Sequence, residues 1–361
     1  MGVSIAWFDP PRAHPRLQHH ALGIAFRHVL MPASGTYGYG EEFAGLYDLR
    51  WLGALVTKAT TQTPRLGNGT PRVAETPSGM LNAIGLENPG VEVVVERILP
   101  TVAAYGVPII VNVAGSDEDE YVEVVRALNA SPHVRAIELN ISCPNVKAGG
   151  MHFGADATAA ARLTEKVKRE SRVPVIVKLS PNVTDIVEVA RAVERAGADA
   201  LSLINTVVGM TIDIRLRRPH LWNTTGGLSG PAIRPIALSH VYRVYPHVSV
   251  PIIGVGGIAG AEDVIAFILA GAELVQIGTA HFVDPYVIPR IVHRLPELLD
   301  ALGVEHIHEL LGRAHPDEVL EAKQVKNGRR AVLSGPDQSA DKAHAAEHAA
   351  VRAGERTRSW D

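Results

Sequence analysis

The sequence predicts an α/β fold, a parallel (β/α)8 barrel of the TIM type with long loops at the strand C-terminal face. Three observations lead there. Eight short apolar runs of strand length recur along the chain. Helical patterns separate most of them, which makes the connections crossovers and the sheet parallel. The runs are almost continuously apolar, as strands buried on both faces are. An open doubly wound sheet shows the same alternation, but a run of eight units favours closure.

The elements follow in order. "VLMPAS" (29–34), "LGALVTKAT" (52–60), "VPIIVNVAG" (107–115) and "RAIELNIS" (135–142) give the first four strands. "PVIVKLS" (174–180), "ADALSLIN" (198–205), "VPIIGVGG" (250–257) and "AELVQIGT" (272–279) give the rest. Helix patterns fall near 91–105, 118–130, 157–171, 184–196, 231–245 and 262–270. In "TDIVEVARAVERAGADA", Thr184 or Asp185 can cap the start, apolar residues recur at helical spacing and Gly197 ends the pattern. "SDEDE" (116–120) reads as a helix start, where acidic groups are favoured. Two connections are unusually long, 61–90 and 206–230, and both follow strand C-terminal ends. Connections of that length in compact domains are functional covers or disordered.

The chain has 361 residues, 46% hydrophobic and 20% charged, which suffices for one large barrel domain over 21–321. Residues 1–20 are an extension rich in Pro, His and Arg; residues 322–361 turn polar and are expected to be a mobile tail, with an Ala-rich helix near 341–353. A net charge of −3 provides no basic field for nucleic acid or an anionic membrane. No apolar stretch approaches the ~18 residues of a membrane span, and no signal peptide is visible. The single cysteine excludes an intrachain disulfide and fits a reducing compartment, so a cytoplasmic protein is expected.

Small or polar groups close every predicted strand: Ser34, Lys58, Asn112, Asn140, Lys178, Asn205, Gly256, Gly257, Gly278 and Thr279. One such group is an ordinary loop hydrogen bond. Repeated around a barrel, they converge on one face and describe a site with many donors, two ammonium groups and few carboxylates. "GVGGIAGAEDV" and "QIGTAHF" follow the last two strands, where backbone N–H groups can cradle a phosphate. No GxGxxG follows the first strand and no P-loop is present, which disfavours a Rossmann dinucleotide site and nucleotide hydrolysis. His19-His20 and His306-x-His308 lack zinc spacing, so no metal is expected. Cys143 has a bland reading as a small buried hydrophobe. Pro144 and a polar loop favour a partly exposed thiol instead, able to act as a general base.

Over residues 29 to about 313 the chain resembles class 1 dihydroorotate dehydrogenases, most closely class 1B. The resemblance rests on "MPASGTYGYGEEF", "KATTQTPRLGNGTPRVAETPSGMLNAIGLENPG", "ELNISCPNVKAGG", "VKLSPNVTDI", "INTVVGM", "TGGLSGPAIRP" and "GVGGIAGAEDV". It implies a barrel holding FMN and the oxidation of dihydroorotate to orotate in pyrimidine biosynthesis. By motif match, Cys143 is the base that removes the C5 proton while the C6 hydride goes to flavin N5. Lys58, Asn82, Ala83, Ile84, Gly85, Leu86, Asn140, Asn205 and Thr206 match substrate contacts. Ser34, Lys58, Ala59, Asn112, Asn140, Lys178, Ile204, Gly230, Gly256, Gly257, Gly278 and Thr279 match FMN contacts. The resemblance also implies a homo-oligomer and a separate iron–sulfur/FAD subunit that passes electrons to NAD⁺, with another soluble acceptor as the alternative. The chain itself has too few cysteines for a cluster. Residues 1–28 show no match to the family's short N-terminal hairpin. The rival readings are a dihydropyrimidine dehydrogenase-like subunit, a flavin-free phosphate-binding barrel and a non-catalytic flavin-binding barrel.

Overall fold

The computed structural model describes residues 13–141 and 154–334, with side chains as far as 325. Cys143 and the loop around it lie outside the described residues, as does the segment 341–353. Eight parallel strands form one sheet: β1 (Leu30–Pro32), β2 (Leu55–Val56), β3 (Ile109–Val113), β4 (Val134–Asn140), β5 (Val175–Leu179), β6 (Ala200–Leu203), β7 (Ile252–Val255) and β8 (Leu274–Ile277). Each strand from β2 to β8 pairs with the next one in the chain, and β8 then pairs with β1. The gap between β1 and β2 is bridged by the Gly53 N–H donating to Leu30 O at 2.8 Å. A Cβ on Gly53 would meet that same oxygen at 2.8 Å, so only glycine lets the two segments approach. His28 completes the seam: Nδ1 accepts from Leu30 N–H at 3.2 Å, which leaves Nε2 to donate to Trp51 O at 2.9 Å. This is the (β/α)8 barrel that the alternating pattern predicts.

Helices cover the sheet, and their caps are local in origin. Asp117, Asp156 and Asp185 each accept from a backbone N–H of the first turn of Glu118–Leu128, Ala157–Glu170 and Ile186–Arg195. The last of these buries Ile186, Val189, Ala190 and Val193, the i, i+3, i+4, i+7 stripe of an amphipathic helix. The helix expected near 91–105 is built as Val91–Val93, a wide π turn over Val94–Ile98, and Leu99–Ala103.

Three features differ from the expected outline. A hairpin pairs His19–Ala21 with Ile24–Phe26 through a turn at Leu22 and Gly23, both at positive φ, within the segment that shows no sequence match to one. The helix Val287–Leu302 is absent from the sequence pattern because Pro289 and Pro296 interrupt it; Pro289 falls in the first turn, where a missing N–H costs little. The unit containing the barrel ends at Pro316, and a helix spans Asp317–Ser334, across the expected 321/322 boundary. No helix among the described residues is long and apolar enough to cross a membrane.

The two long connections fold together. Val73–Thr76 and Gly79–Asn82 come from the first, Val207–Gly209 and Gly226–Ser229 from the second. They form one antiparallel sheet in which Gly79–Asn82 pairs with Gly226–Ser229. Ala74, Leu81, Ala83 and Leu221 form its own small core.

Candidate functional site

A cavity of about 450 Å³ opens at the C-terminal ends of the barrel strands, roofed by that antiparallel sheet. Ser34 reaches it just beyond β1, Lys58 and Ala59 beyond β2, Asn140 from the end of β4 and Lys178 from β5. Ile204, Asn205 and Thr206 follow β6; Gly256 and Gly257 follow β7; Gly278 and Thr279 follow β8. The segment Asn82–Leu86 and Gly230 line it from the two long connections. Every named substrate position therefore faces one cavity. So does every named flavin position except Asn112, which is fully buried beneath it, with Nδ2 donating to Glu138 Oε1 at 2.7 Å.

Local chemistry fixes the cavity walls. Asn205 Oδ1 accepts from the Thr206 N–H at 2.8 Å, and Asn205 Nδ2 is 3.5 Å from Asn140 Oδ1. The Tyr121 hydroxyl donates to Asn140 O at 2.7 Å, anchoring the end of β4 on the helix Glu118–Leu128. Asn88 pins the first long connection: Oδ1 accepts from the N–H groups of Thr61 and Gly90, and Nδ2 donates to Thr61 Oγ1. Asn182 pins the second, donating to Thr206 O at 3.0 Å and accepting from Val208 N–H at 3.0 Å.

Beneath the cavity Asn112, Lys178 and Ser34 join a polar cluster around Glu138 and Gln276, two residues to which the sequence reading gave no role. Glu138 is completely buried on β4, two residues before Asn140 and on the same face. Its Oε1 accepts from Asn112 and lies 3.5 Å from Lys178 Nζ; its Oε2 accepts from Gln276 Nε2 at 2.7 Å. Lys178 Nζ also donates to Ser34 Oγ at 3.1 Å. Glu138 and Gln276 were visible in sequence as the lone carboxylate and the lone amide inside the apolar runs "RAIELNIS" and "AELVQIGT". Glu87 is the one carboxylate on the cavity wall among the described residues, and Arg72 pairs with it at 2.6 Å. Lys58 has no ion-pair partner among the described residues. No group of three or more metal-ligating side chains occurs there either.

The residues suit a flavin nucleotide. Gly256 and Gly257 take φ of +131° and +75°, and a Cβ on either would stand 2.6 Å from the Cβ of Ala237 or Arg234. These two glycines let the turn after β7 pass close to the helix behind it. Gly278 differs: a Cβ there would meet nothing of the chain nearer than 3.6 Å. Packing within the protein does not demand glycine at 278, whereas a ligand lying against the backbone would. Asn112 Oδ1 and Gln276 Oε1 are buried acceptors with no hydrogen-bond partner among the described residues, and Lys178 supplies a buried cation.

Comparison with known proteins gives the family of the chain. The sequence model of one family, described as dihydroorotate dehydrogenase, matches residues 16–299. The chain is 56% identical over 320 residues to a protein of Geobacillus sp. (strain WCH70) named dihydroorotate dehydrogenase B (NAD(+)), catalytic subunit. That alignment covers 89% of this chain and 99% of the relative. A protein of the same name from Anoxybacillus flavithermus is 59% identical over 299 residues, covering 83% of this chain and 96% of the relative. A third, from Halalkalibacterium halodurans, is 57% identical over 297 residues, covering 82% and 97%.

Proposed function

The chain belongs to the dihydroorotate dehydrogenase family, and from that premise we propose that the barrel mouth holds FMN, with Cys143 as the base. The family reaction is the oxidation of dihydroorotate to orotate in pyrimidine biosynthesis. The reading is supported by one observation above all: the substrate and flavin positions, Asn112 apart, line a single cavity of about 450 Å³.

The roles follow from residue chemistry. Loss of the C5 proton, beside a carbonyl, needs a base, and the thiolate of Cys143 takes that proton onto sulfur. FMN, when bound, supplies the acceptor for the hydride that leaves C6. Lys58 binds the substrate carboxylate by a charge-assisted hydrogen bond. Asn82, Asn140 and Asn205 each carry a donor and an acceptor, which matches the amide edges of a pyrimidine ring. Lys178 offers a cation to the negative charge that arrives with the electrons. The antiparallel sheet keeps bulk water out of the cavity. The relatives named as NAD(+) catalytic subunits support a companion subunit for this chain that passes electrons on to NAD⁺; the resemblance gives that subunit iron–sulfur and FAD groups. They also favour dihydroorotate over the dihydropyrimidine alternative.

The test is anaerobic mixing of the yellow holoprotein with dihydroorotate. The flavin absorbance should bleach. Cys143→Ala should keep FMN yet lose bleaching by at least a hundredfold in rate, the lower range for a general base. A variant that bleaches as fast as the parent would remove Cys143 from the chemistry. Reoxidation of the isolated chain by NAD⁺ alone should be negligible; rapid reoxidation would argue against a companion subunit.

A further inference from the structure

We propose that Glu138 is a positioning residue for the reaction: it balances the Lys178 ammonium and thereby sets how readily the bound flavin accepts electrons. The inference rests on the FMN reading above and names a residue that touches neither the cavity nor the substrate.

Three strands deliver donors to this one carboxylate. Asn112 on β3 stands directly beside Glu138 in the ladder and donates to Oε1 at 2.7 Å. Gln276 on β8 reaches across the barrel to Oε2 at 2.7 Å. Lys178 on β5 approaches Oε1 at 3.5 Å. Glu138 is 0% exposed and Lys178 is 4% exposed. A carboxylate taken so far from water is sustained only by a cation and hydrogen-bond donors, and all three neighbours supply them.

The arrangement has a direction. An ionised carboxylate only accepts, so both amides turn their NH₂ groups toward it. Their oxygens, Asn112 Oδ1 and Gln276 Oε1, then point away and have no partner among the described residues. Lys178 alone spans the two environments, with its Nζ held between Glu138 and Ser34 Oγ while the side chain lines the cavity. The field reaching the cavity is the ammonium's, reduced by the carboxylate beneath it. Reduction adds negative charge to a flavin, so either charge shifts its potential in a known direction.

The experiment measures the midpoint potential of FMN in the holoprotein, in the parent and in three variants. Glu138→Gln keeps the shape and removes the negative charge. It should raise the ratio of reduced to oxidised flavin at fixed poise at least tenfold, about 30 mV for a two-electron couple. Lys178→Met should lower the ratio by at least as much. The double variant should fall between the two single ones, because neither charge remains. Should Glu138→Gln fail to fold, the double variant still should fold, since it leaves no unpaired buried charge; its ratio of reduced to oxidised flavin at fixed poise should then stand tenfold above that of Lys178→Met, about 30 mV in potential. A Glu138→Gln potential equal to or below the parent's would overturn the inference, as would a double variant indistinguishable from Lys178→Met. A parent protein that takes up no FMN would overturn the underlying reading instead.

Discussion

Two lysines stand at the barrel mouth, and their surroundings separate their tasks. Lys178 is buried and committed to Glu138 and Ser34, whereas Lys58 is half-buried and has no ion pair among the described residues. An uncommitted ammonium is suited to a substrate that brings its own carboxylate. Lys58→Ala should raise the KM for dihydroorotate roughly tenfold to a hundredfold, the worth of one charged hydrogen bond. Flavin absorbance should persist; an unchanged KM would take Lys58 out of carboxylate binding. Two histidines make a different prediction. Burial pushes both His28 and His281 down to about 4 from the ordinary 6.5. Both are neutral in the folded protein, while an unfolded chain takes up their protons below about 6.5. Their contribution to stability is therefore complete above about 6.5 and is lost as the pH falls toward 4. Each removes about 1.4 kcal/mol per pH unit across that window. Urea midpoints at pH 7 and pH 5 test the sign. His281→Met should shrink the difference between them, and a parent protein equally stable at both values would refute it.

At the scale of elements, the cover sheet shows both the reach and the limit of sequence reading. The alternation of apolar runs and helical stripes reveals the barrel because each signal is local: a capping Asp117 or Asp185, a stripe such as Ile186, Val189 and Val193. Ser34, Lys58, Asn140, Asn205, Gly256, Gly257, Gly278 and Thr279 were legible for the same reason, since they close or follow the barrel strands, whereas Asn82–Leu86 and Gly230 were reached only through the resemblance. The cover was legible only as two long connections. Its pairing joins Leu81 to Leu228 across about half of the barrel domain, and no local pattern records which distant segment a strand will meet. The hairpin at His19–Phe26 and the helix through Pro289 and Pro296 were hidden by residues that weaken the local signal. Glu138 and Gln276 open the stretches "ELNISCPNVKAGG" and "QIGTAHF" but were given no role, although burying a polar group inside an apolar strand always demands an explanation. The cover makes its own prediction. A Cβ on Gly227 would lie 2.6 Å from the Cβ of Thr206. Gly227→Ala should therefore push the Gly226–Ser229 strand off Thr206 and raise the KM for dihydroorotate at least severalfold. FMN content should hold, because the phosphate-side glycines lie on other loops. A variant with parental KM would show that the cover does not shape the substrate pocket.

For the whole molecule, the decisive feature is that the mouth of the barrel is polar where its walls are apolar. Val111, Val177, Leu201 and Ile253 are fully buried within the strands, as a barrel core requires. Next to Val111 and Val177 along the strands, on the opposite face, stand Asn112 and Lys178, with Glu138 and Gln276 beside them and two acceptors left without partners among the described residues. A cavity of about 450 Å³ stands over this layer. The proposed flavin, a planar hydrogen-bonding ligand, would occupy this void and add contacts that the folded chain alone lacks. Binding to the folded state alone stabilises by mass action, about 2.7 kcal/mol at a free ligand concentration one hundred times Kd. In a protein of this size, that amounts to a Tm several degrees higher. Protein stripped of FMN should therefore melt at lower temperature, and its Tm should climb with the logarithm of added FMN. Riboflavin, which lacks the phosphate, should raise Tm less, because the glycine turns after β7 and β8 would then go unused. A stripped protein whose melting ignores FMN altogether would mean that the cavity is not the flavin site, whatever the neighbouring residues suggest.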